Sequence, residues 1–218
     1  MAQHVDAFLS VQSPYCYFAA PRLARLAAHG DVEVHLRLVS PGVIRLPQVY
    51  ADRSTQEQDY FLLDVARTAS FLGLAYAEAD PYPVEFEPGS LWRPAAEQPR
   101  VFRLMSLLMA ATELGDGLAL YGAVMDLIWS GRTRNWHAGA HLQDAARAAG
   151  CDWEALEPLA HREQDRLLAT VRANDEAILD AGHWGVPCFA VAGEPFYGQD
   201  RFDQLLWRLG IEPTRLGL

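Results

Sequence analysis

Lysine is absent from the 218-residue sequence, so all 18 basic residues are arginines. The 28 acidic residues outnumber them and give a net charge of −10, and the arginines are scattered singly instead of forming a basic stripe. Proteins that bind nucleic acid concentrate positive charge on one surface, where it neutralises phosphates. The charge pattern therefore disfavours a nucleic-acid partner.

Cysteine and long apolar runs are also scarce. The three cysteines, Cys16, Cys151 and Cys188, lie at wide spacings and cannot form a disulfide framework or a four-cysteine zinc site, so we interpret them as reduced thiols. The most apolar stretches are short or interrupted, well below the ~20 residues that a membrane-spanning helix needs. The first ten residues contain no arginine and no signal-peptide pattern. We therefore expect a cytoplasmic protein without a membrane segment.

Common nucleotide and metal motifs are missing as well. The sequence contains no GxGxxG, GxxxxGK[ST] or HExxH motif, so nucleotide-binding and zincin functions lack support. His137 and His141 have the spacing of a helical metal pair, but a glycine lies between them and no third ligand is obvious. We therefore predict no metal site.

The sequence begins with a strand–helix–strand pattern. Val5–Val11 is rich in apolar residues and predicts a buried strand. Ser13 is a suitable N-cap and Pro14 suits the first position of a helix that runs to about His29. Apolar and polar residues then alternate over Val32–Val39, which predicts a strand with one covered face. Together these elements form a βαβ unit, whose crossover is expected to be right-handed.

Between about residues 48 and 182 the pattern changes to amphipathic helices joined by proline-rich segments. The predicted helices are Gln58–Leu72, Val101–Leu114, Ala119–Ser130, Ala140–Ala149, Trp153–Ala160 and Arg162–Ala181. After them, Cys188–Val191 and Pro195–Tyr197 predict a hairpin, and Asp200 opens a final helix to Leu209. We therefore predict an α/β domain with one mixed sheet, formed by residues 1–47 and 183–218, and an all-helical insertion domain over residues 48–182.

Three short segments carry candidate functional residues. Ser13 lies at a strand-to-helix junction, where unpaired N–H groups favour a bound anion such as a thiolate, although it also suits a purely structural N-cap. A cis bond between Val186 and Pro187 would expose the Val186 backbone to a peptide-like ligand, but a proline that starts a strand is also ordinary. Gln199 and Asp200 begin the last helix, where Asp200 is either an N-cap or a carboxylate that receives a ligand's amino group.

The motifs SPYCYF, GVPCF and FYGQDRF together resemble the family of 2-hydroxychromene-2-carboxylate isomerases. These are thioredoxin-fold relatives of kappa-class glutathione transferases and of DsbA-like oxidoreductases. The resemblance spans nearly the whole chain and includes Tyr60, Asp64, Arg67 and Gly73 between the motifs. It implies a thioredoxin-like fold with an inserted all-helical domain, and a homodimeric, glutathione-dependent isomerase that acts on a small aromatic substrate.

The resemblance also implies roles for individual residues. Ser13 stands where the redox relatives have their first cysteine, and it would stabilise the glutathione thiolate without being a nucleophile itself. Val186, next to Pro187, would pair its backbone with the cysteinyl part of glutathione, while Gln199 and Asp200 would hold the γ-glutamyl end. In the family's chemistry the thiolate adds reversibly to a conjugated double bond, rotation follows, and elimination restores glutathione.

The sequence departs from the family's pattern at two places. Many relatives carry a lysine three residues before the tyrosine that aligns with Tyr60, where it serves the ligand's carboxylate, but this chain has Glu57 there. Arg53 is the candidate replacement, although a guanidinium and an ammonium are not equivalent. Relatives also tend to have an asparagine before the helix that starts at Val101, where this chain reads Glu97-Gln98-Pro99.

Other functions stay open on the sequence alone. A kappa-like transferase would conjugate electrophiles, and a non-catalytic member would bind a peptide or a small thiol. A DsbA-like oxidoreductase would need redox cysteines, but Ser13 precludes a disulfide within SPYC, which leaves Cys16 and Cys188 as the only pair to consider. Cysteines in such positions are more often buried as small hydrophobic residues. Four tryptophans are candidates either for the core or for the lining of an apolar pocket: Trp92, Trp129, Trp136 and Trp184.

Overall fold

A computed structural model describes residues 2–217 of the chain. The strands are β1 (Gln3–Leu9), β2 (Val32–Leu38), β3 (Cys188–Val191) and β4 (Glu194–Tyr197). The α-helices are α1 (Pro14–Ala27), α2 (Gly42–Arg45), α3 (Pro47–Tyr50), α4 (Thr55–Leu72), α5 (Pro99–Leu114), α6 (Gly117–Trp129), α7 (His141–Ala148), α8 (Trp153–Arg162), α9 (Gln164–Asp180) and α10 (Phe202–Leu209). Two 3₁₀ turns cover Gln199–Arg201 and Pro213–Leu216.

The four strands form one mixed sheet in the order β2-β1-β3-β4. β1 pairs with β2 in parallel, whereas β1 with β3 and β3 with β4 are antiparallel. The βαβ unit at the start of the chain and the hairpin near its end therefore meet along β1. This confirms the predicted thioredoxin-like mixed sheet.

The two faces of the sheet pack against different helices. Val5, Ala7 and Leu9 of β1 belong to the main hydrophobic core, which they share with helices that include α1 and α6. Because side chains alternate along a strand, Phe8 points to the opposite face, where it packs with Ile178 of α9. Burial on both faces explains why β1 is rich in apolar residues at its carboxyl end.

The segment between β2 and β3 contains all six predicted helices, each with ends within a few residues of the prediction. α4 ends where Gly73 adopts a left-handed conformation with φ of 66°, which a residue with a Cβ rarely takes. The proline-rich stretch that follows forms turns and one isolated bridge, Phe86–Pro94. The division into an α/β domain of residues 1–47 and 183–218 and a helical insertion domain of residues 48–182 stays a prediction. No helix within residues 2–217 is both long and apolar enough to cross a bilayer.

Two predicted details were wrong. β1 ends at Leu9 and not at Val11, because the carbonyls of Ser10 and Val11 accept hydrogen bonds from side chains of α6 instead of continuing the strand. Asp200 does not open the last helix as its N-cap, because it lies in a 3₁₀ turn that precedes α10 and its carboxylate contacts the Arg201 guanidinium.

Candidate functional site

Ser13 is the N-cap of α1, immediately after the chain leaves β1. Its backbone is extended, and its hydroxyl oxygen accepts a hydrogen bond from the Cys16 N–H at 3.4 Å. Since the hydroxyl acts as the acceptor in this bond, its own proton remains for donation, and the protein group beside it is the buried Cys16 thiol, a weak acceptor. A half-buried donor at a helix N-terminus is suited to a bound anion.

The segment that carries Ser13 is fixed from α6. The Tyr121 hydroxyl donates to the Ser10 carbonyl at 3.1 Å, and the indole Nε1 of Trp129 donates to the Val11 carbonyl at 3.1 Å. Both side chains are buried, so these bonds are shielded from water. Sequence reasoning missed this support because the partners lie more than one hundred residues apart along the chain.

Ser13 opens onto an apolar cavity of about 200 Å³. Ten of its 21 lining residues are aromatic, namely Tyr15, Tyr50, Phe61, Tyr76, Tyr82, Phe86, Trp92, Trp129, Trp184 and Tyr197. Three of the four candidate tryptophans thus line the pocket, whereas Trp136 is fully buried elsewhere and donates its Nε1 to the Pro81 carbonyl at 2.7 Å. Such a cavity suits a flat, largely apolar molecule.

Val186 also lines this cavity, and its bond to Pro187 is cis. The Val186 N–H and C=O make no hydrogen bond to another residue within 2–217, since the pairing of β3 with β1 starts at Cys188. The adjoining Pro187 carbonyl accepts from the Gly198 N–H at 2.8 Å. The Val186 N–H and C=O can therefore pair with the backbone of a peptide-like ligand, in the way that they would pair with a neighbouring strand.

A buried ion pair supports the loop before Val186, and it too was missed. Arg45 donates from Nη2 to the Trp184 carbonyl at 2.8 Å, and its Nε lies 3.5 Å from Oδ1 of Asp175 on α9. The same Asp175 oxygen accepts from the Ser40 N–H at 2.7 Å. Burial lowers the pKa of Arg45 and raises the pKa of Asp175. Three separate segments are thereby held together behind the cavity.

Gln199 and Asp200 line an adjoining groove together with Val186 and Pro187. Arg22 of α1 fixes this segment, because its Nη1 donates to the Gln199 carbonyl at 3.2 Å while its Nη2 pairs with Asp203. Before them, Gly198 has φ of 106°, and a Cβ there would collide with the Asp200 carboxylate. Asp200 is exposed and lines the groove, and one of its carboxylate oxygens accepts from Arg201 Nη1 at 2.8 Å.

Tyr15 lines both this groove and the aromatic cavity, and Asp64 lines the groove. The Tyr15 hydroxyl donates to Oδ2 of Asp64 at 2.5 Å. Burial, followed by this hydrogen bond, raises the pKa of Tyr15 far above its usual value. Tyr15 therefore stays neutral at physiological pH and acts as a donor, not as a base.

Arg53 supplies positive charge at the lining of the aromatic cavity. Its guanidinium carbon lies 5.0 Å from the ring centroid of Tyr50 and 5.3 Å from that of Trp92. Arg53 also lines a second, more open cavity beside Tyr60. Glu57 lines this open cavity too, but its carboxylate accepts from the Ser54 N–H at 2.9 Å, and the Ser54 hydroxyl accepts from the Glu57 N–H at 3.2 Å, which forms a capping box.

The two candidate redox cysteines are both buried. Burial raises the pKa of Cys16 to about 12 and that of Cys188 to about 11. Cys16 belongs to the main core below Ser13, whereas Cys188 packs with Phe8 on the other side of the sheet. Neither thiol lines the cavity, and all three cysteines are free. The arrangement gives no support to a Cys16–Cys188 redox pair.

Gln98, at the second position where the family pattern differs, has a structural role. Its side chain is buried and donates to the carbonyls of Glu85 at 2.7 Å and Ala95 at 2.9 Å, while it accepts from the Glu85 N–H at 3.0 Å. It fixes the proline-rich segment and does not line the cavity beside Ser13.

Comparison with solved structures places the fold among both isomerases and oxidoreductases. A structure of 2-hydroxychromene-2-carboxylate isomerase superimposes with a TM-score of 0.64 at 18% identity, covering 95% of this chain and 94% of that one. A probable DsbA oxidoreductase from Streptomyces coelicolor gives 0.63 at 23% identity, with 96% and 91% covered. The cytosolic disulfide reductase DsbM from Pseudomonas aeruginosa gives 0.58 at 16% identity, with 94% and 99% covered. At these identities the likeness shows a shared fold.

Comparison with curated protein sequences finds no match. Among protein families, the DSBA-like thioredoxin domain matches residues 4–210, which include Ser13, the Val186–Pro187 bond, Gln199 and Asp200. The match therefore covers both β parts of the chain and the helices between them. The chain belongs to the family of DSBA-like thioredoxin domain proteins.

Proposed function

We propose that this protein is a glutathione-dependent cis–trans isomerase of the 2-hydroxychromene-2-carboxylate type. The observation that carries the proposal is the meeting of Ser13, with its available hydroxyl proton, and Val186, with its unused backbone groups, in one aromatic cavity. A thiol-containing peptide fits this combination, because the first group binds a thiolate and the second binds a peptide backbone.

The charges around the cavity match the two ends of glutathione. The exposed Asp200 carboxylate and the Gln199 side chain lie in the groove next to Val186, where they would hold the γ-glutamyl amino group and carboxylate. Arg53 lines the aromatic cavity but not this groove, and it would hold the glycine carboxylate in place of the lysine that relatives carry. When bound, glutathione supplies a thiolate as a reversible nucleophile.

Ser13 would stabilise that thiolate in two ways. Its hydroxyl would donate a hydrogen bond to a charged acceptor, which contributes roughly 1.5–3 kcal/mol. The N-terminus of α1 adds the positive end of the helix dipole, which lowers the pKa of a thiol from ~8.5. Ser13 needs no general base for this role, and none of the groups that contact it is a histidine or carboxylate.

The aromatic cavity would hold the substrate beside the thiolate. Stacked and edge-on rings, including the Tyr50–Trp92 pair at 5.7 Å between centroids, offer flat surfaces to an aromatic ring. Trp92, whose buried indole Nε1 has no partner within residues 2–217, is a donor available to a polar substituent, whereas the Tyr15 proton is already donated to Asp64. The isomerisation needs no net redox change, in keeping with a site that has a serine and no accessible thiol.

An activity assay with catalytic glutathione tests the proposal. We expect purified protein to isomerise 2-hydroxychromene-2-carboxylate while the total reduced glutathione stays constant. Ser13→Ala should lower kcat/KM by roughly 10- to 150-fold, the equivalent of one hydrogen bond to a charged group. Ser70→Ala, on the exposed surface of α4, is the matched control and should leave the rate unchanged. Glutathione consumed in proportion to turnover would instead indicate a transferase, and no turnover would overturn the proposal.

Arg53 provides an independent test of how glutathione is oriented. We expect Arg53→Ala to raise the KM for glutathione about tenfold, because the carboxylate loses a charged partner worth roughly 1.4 kcal/mol. Arg53→Lys should recover part of the affinity, since it retains the charge but not the planar stacking on Tyr50 and Trp92. Arg162→Ala on α8 serves as the control. An unchanged KM in Arg53→Ala would show that the glycine carboxylate binds elsewhere.

A further inference from the structure

A cluster of two histidines and a carboxylate lies at the opposite end of the sheet from Ser13. In the parallel register of β1 and β2, His4 is the partner of Glu33, and Asp6 is the partner of His35. Since residues two apart on a strand share a face, all four side chains lie on one face of the sheet. Phe8 of the same face is covered by α9, whereas His4, Glu33 and His35 remain accessible to solvent.

The distances within this cluster match those around a small divalent ion. His4 Nδ1 lies 3.2 Å from Glu33 Oε2, and His35 Nε2 lies 2.9 Å from Glu33 Oε1. One potential ligand atom from each residue lies within 4.8 Å of the other two. Ligands at 2.0–2.2 Å from a tetrahedral zinc ion are separated by roughly 3.3 Å. The three side chains can therefore close on an ion by small rotations, without a change in the strand backbone.

A second carboxylate supports one of the histidines from behind. Asp6 Oδ1 lies 3.7 Å from His35 Nδ1, on the side of the ring away from Glu33. The Arg37 Nε donates to the same Asp6 oxygen at 2.7 Å and fixes its position. Histidine ligands commonly place their second nitrogen next to a carboxylate, which orients the ring and increases its basicity. This arrangement distinguishes the cluster from an accidental group of exposed charges.

The geometry points to a surface site for a divalent transition-metal ion, with His4, Glu33 and His35 as ligands and Asp6 as the outer partner of His35. Two imidazoles and one carboxylate favour zinc, nickel or copper over magnesium and calcium, which prefer oxygen ligands. The exposed side of the site leaves a coordination position for water. Along β1 the site lies about 16 Å from the end of the strand that leads to Ser13, so it is separate from the glutathione site.

The site also links two strands in one register. His4 belongs to β1, whereas Glu33 and His35 belong to β2, so the three ligands come together only when the parallel pair has formed. An ion that binds the folded chain and not the unfolded chain raises the melting temperature by mass action. Binding at this site should therefore be visible both as heat of binding and as thermal stabilisation.

Isothermal titration of tag-free protein with Zn²⁺ in a non-chelating buffer tests this site, with Mg²⁺ as the hard-cation comparison. We expect one Zn²⁺ per chain, no detectable Mg²⁺, and at least a tenfold weaker Zn²⁺ affinity in His4→Gln and in His35→Gln. Asp6→Asn should weaken binding about tenfold through the loss of the outer carboxylate. His161→Gln, which changes an exposed histidine on α8, should bind as the wild type does.

The variants change exposed side chains, and their circular dichroism and melting temperature without metal establish that they fold. Zn²⁺ should raise the melting temperature of the wild type and of His161→Gln, but not that of the double variant His4→Gln/His35→Gln. Equal Zn²⁺ affinity in the double variant and the wild type would overturn the site, as would no wild-type binding at millimolar Zn²⁺. Glutathione-dependent activity is not needed for either readout, so the test is independent of the proposed isomerase function.

Discussion

Burial determines which side chains near Ser13 can react. Tyr15 and Cys16 follow Ser13 within the same turn, yet burial raises the pKa of both, so neither ionises at neutral pH. Ser13 itself cannot ionise in this range, and its hydroxyl is the group that remains half-accessible. The site therefore contains no thiolate of its own, and the proposed function relies on one supplied by bound glutathione.

Thiol accessibility gives the first prediction. With a pKa of about 11, only roughly one part in a thousand of Cys188 is thiolate at pH 8, and with a pKa of about 12 the fraction for Cys16 is lower still. Cys151 is also buried, and burial raises its pKa as well. We expect the native protein to show almost no reaction with a chromogenic disulfide reagent, and the protein in guanidinium to titrate three thiols. A rapidly reacting native thiol would contradict this description of the site.

The site residues that the sequence predicted lie in short local motifs, whereas the supporting residues that it did not predict have partners far away along the chain. Ser13, Val186 and Asp200 lie in short motifs that resemble a known family, so they were identifiable one by one. The Arg45–Asp175 pair links positions 130 residues apart and belongs to no local pattern. Such pairs depend on which helix packs behind which loop, and one sequence without the fold does not specify this.

At the level of single elements, the start of α4 brings Arg53 to the cavity. The capping box of Ser54 and Glu57 ends the preceding loop and begins the helix directly after Arg53. The Glu57 carboxylate is thus used for capping. In the proposed function, the cation that relatives supply from a lysine at this position comes from Arg53, four residues earlier.

Removal of this cap should weaken both the fold and ligand binding. Ser54→Ala is expected to lower the free energy of unfolding by about 1 kcal/mol, because the Glu57 N–H loses its acceptor at the helix N-terminus. Urea denaturation measures the change, and Ser70→Ala on the same helix should stay within about 0.5 kcal/mol of the wild type. The loosened helix start should also raise the KM for glutathione. Equal stability of the two variants would show that the box contributes nothing.

An ion pair between α5 and α9 predicts a pH dependence of stability. Arg166 donates from Nη1 and Nη2 to the two oxygens of Glu113 at 2.6 and 2.9 Å, and this pairing lowers the pKa of Glu113 below its usual 4.5. A carboxyl whose pKa is lowered in the folded state stabilises the fold at pH above 4.5 and loses that contribution as the pH falls through the folded value. Both groups are largely exposed, so the contribution is below about 1 kcal/mol.

Glu113→Gln should therefore be less stable than the wild type near neutral pH, and the difference should vanish in acid. Urea denaturation at about pH 7 and about pH 3 measures this convergence. Glu157→Gln is the matched control, because Glu157 lies 3.8 Å from Arg103 in a looser contact. A stability difference for Glu113→Gln that persists unchanged in acid would contradict the role of the charge.

On the scale of the whole molecule, one site is assembled from both ends of the chain. Ser13 follows β1, and Val186 precedes β3, yet the antiparallel pairing of Phe8 with Cys188 brings these segments together. Apolar runs and, for Val32–Val39, the alternation of apolar and polar residues predicted the strands, and their positions at the two ends predicted a shared mixed sheet. The aromatic cavity could not be predicted in the same way, because its walls come from helices and loops spread over most of the sequence. The homodimer implied by the resemblance and the cytoplasmic location expected from the first ten residues stay predictions.

The central claim is that Ser13 stabilises the thiolate of bound glutathione. The most direct measurement follows the ultraviolet absorbance of the thiolate as a pH titration of bound glutathione, in the wild type and in Ser13→Ala. The account predicts a bound-thiol pKa below the ~8.5 of a free thiol in the wild type, and a rise of roughly one to two units in Ser13→Ala. Identical titrations in the two proteins, or no binding of glutathione by the wild type, would contradict the account.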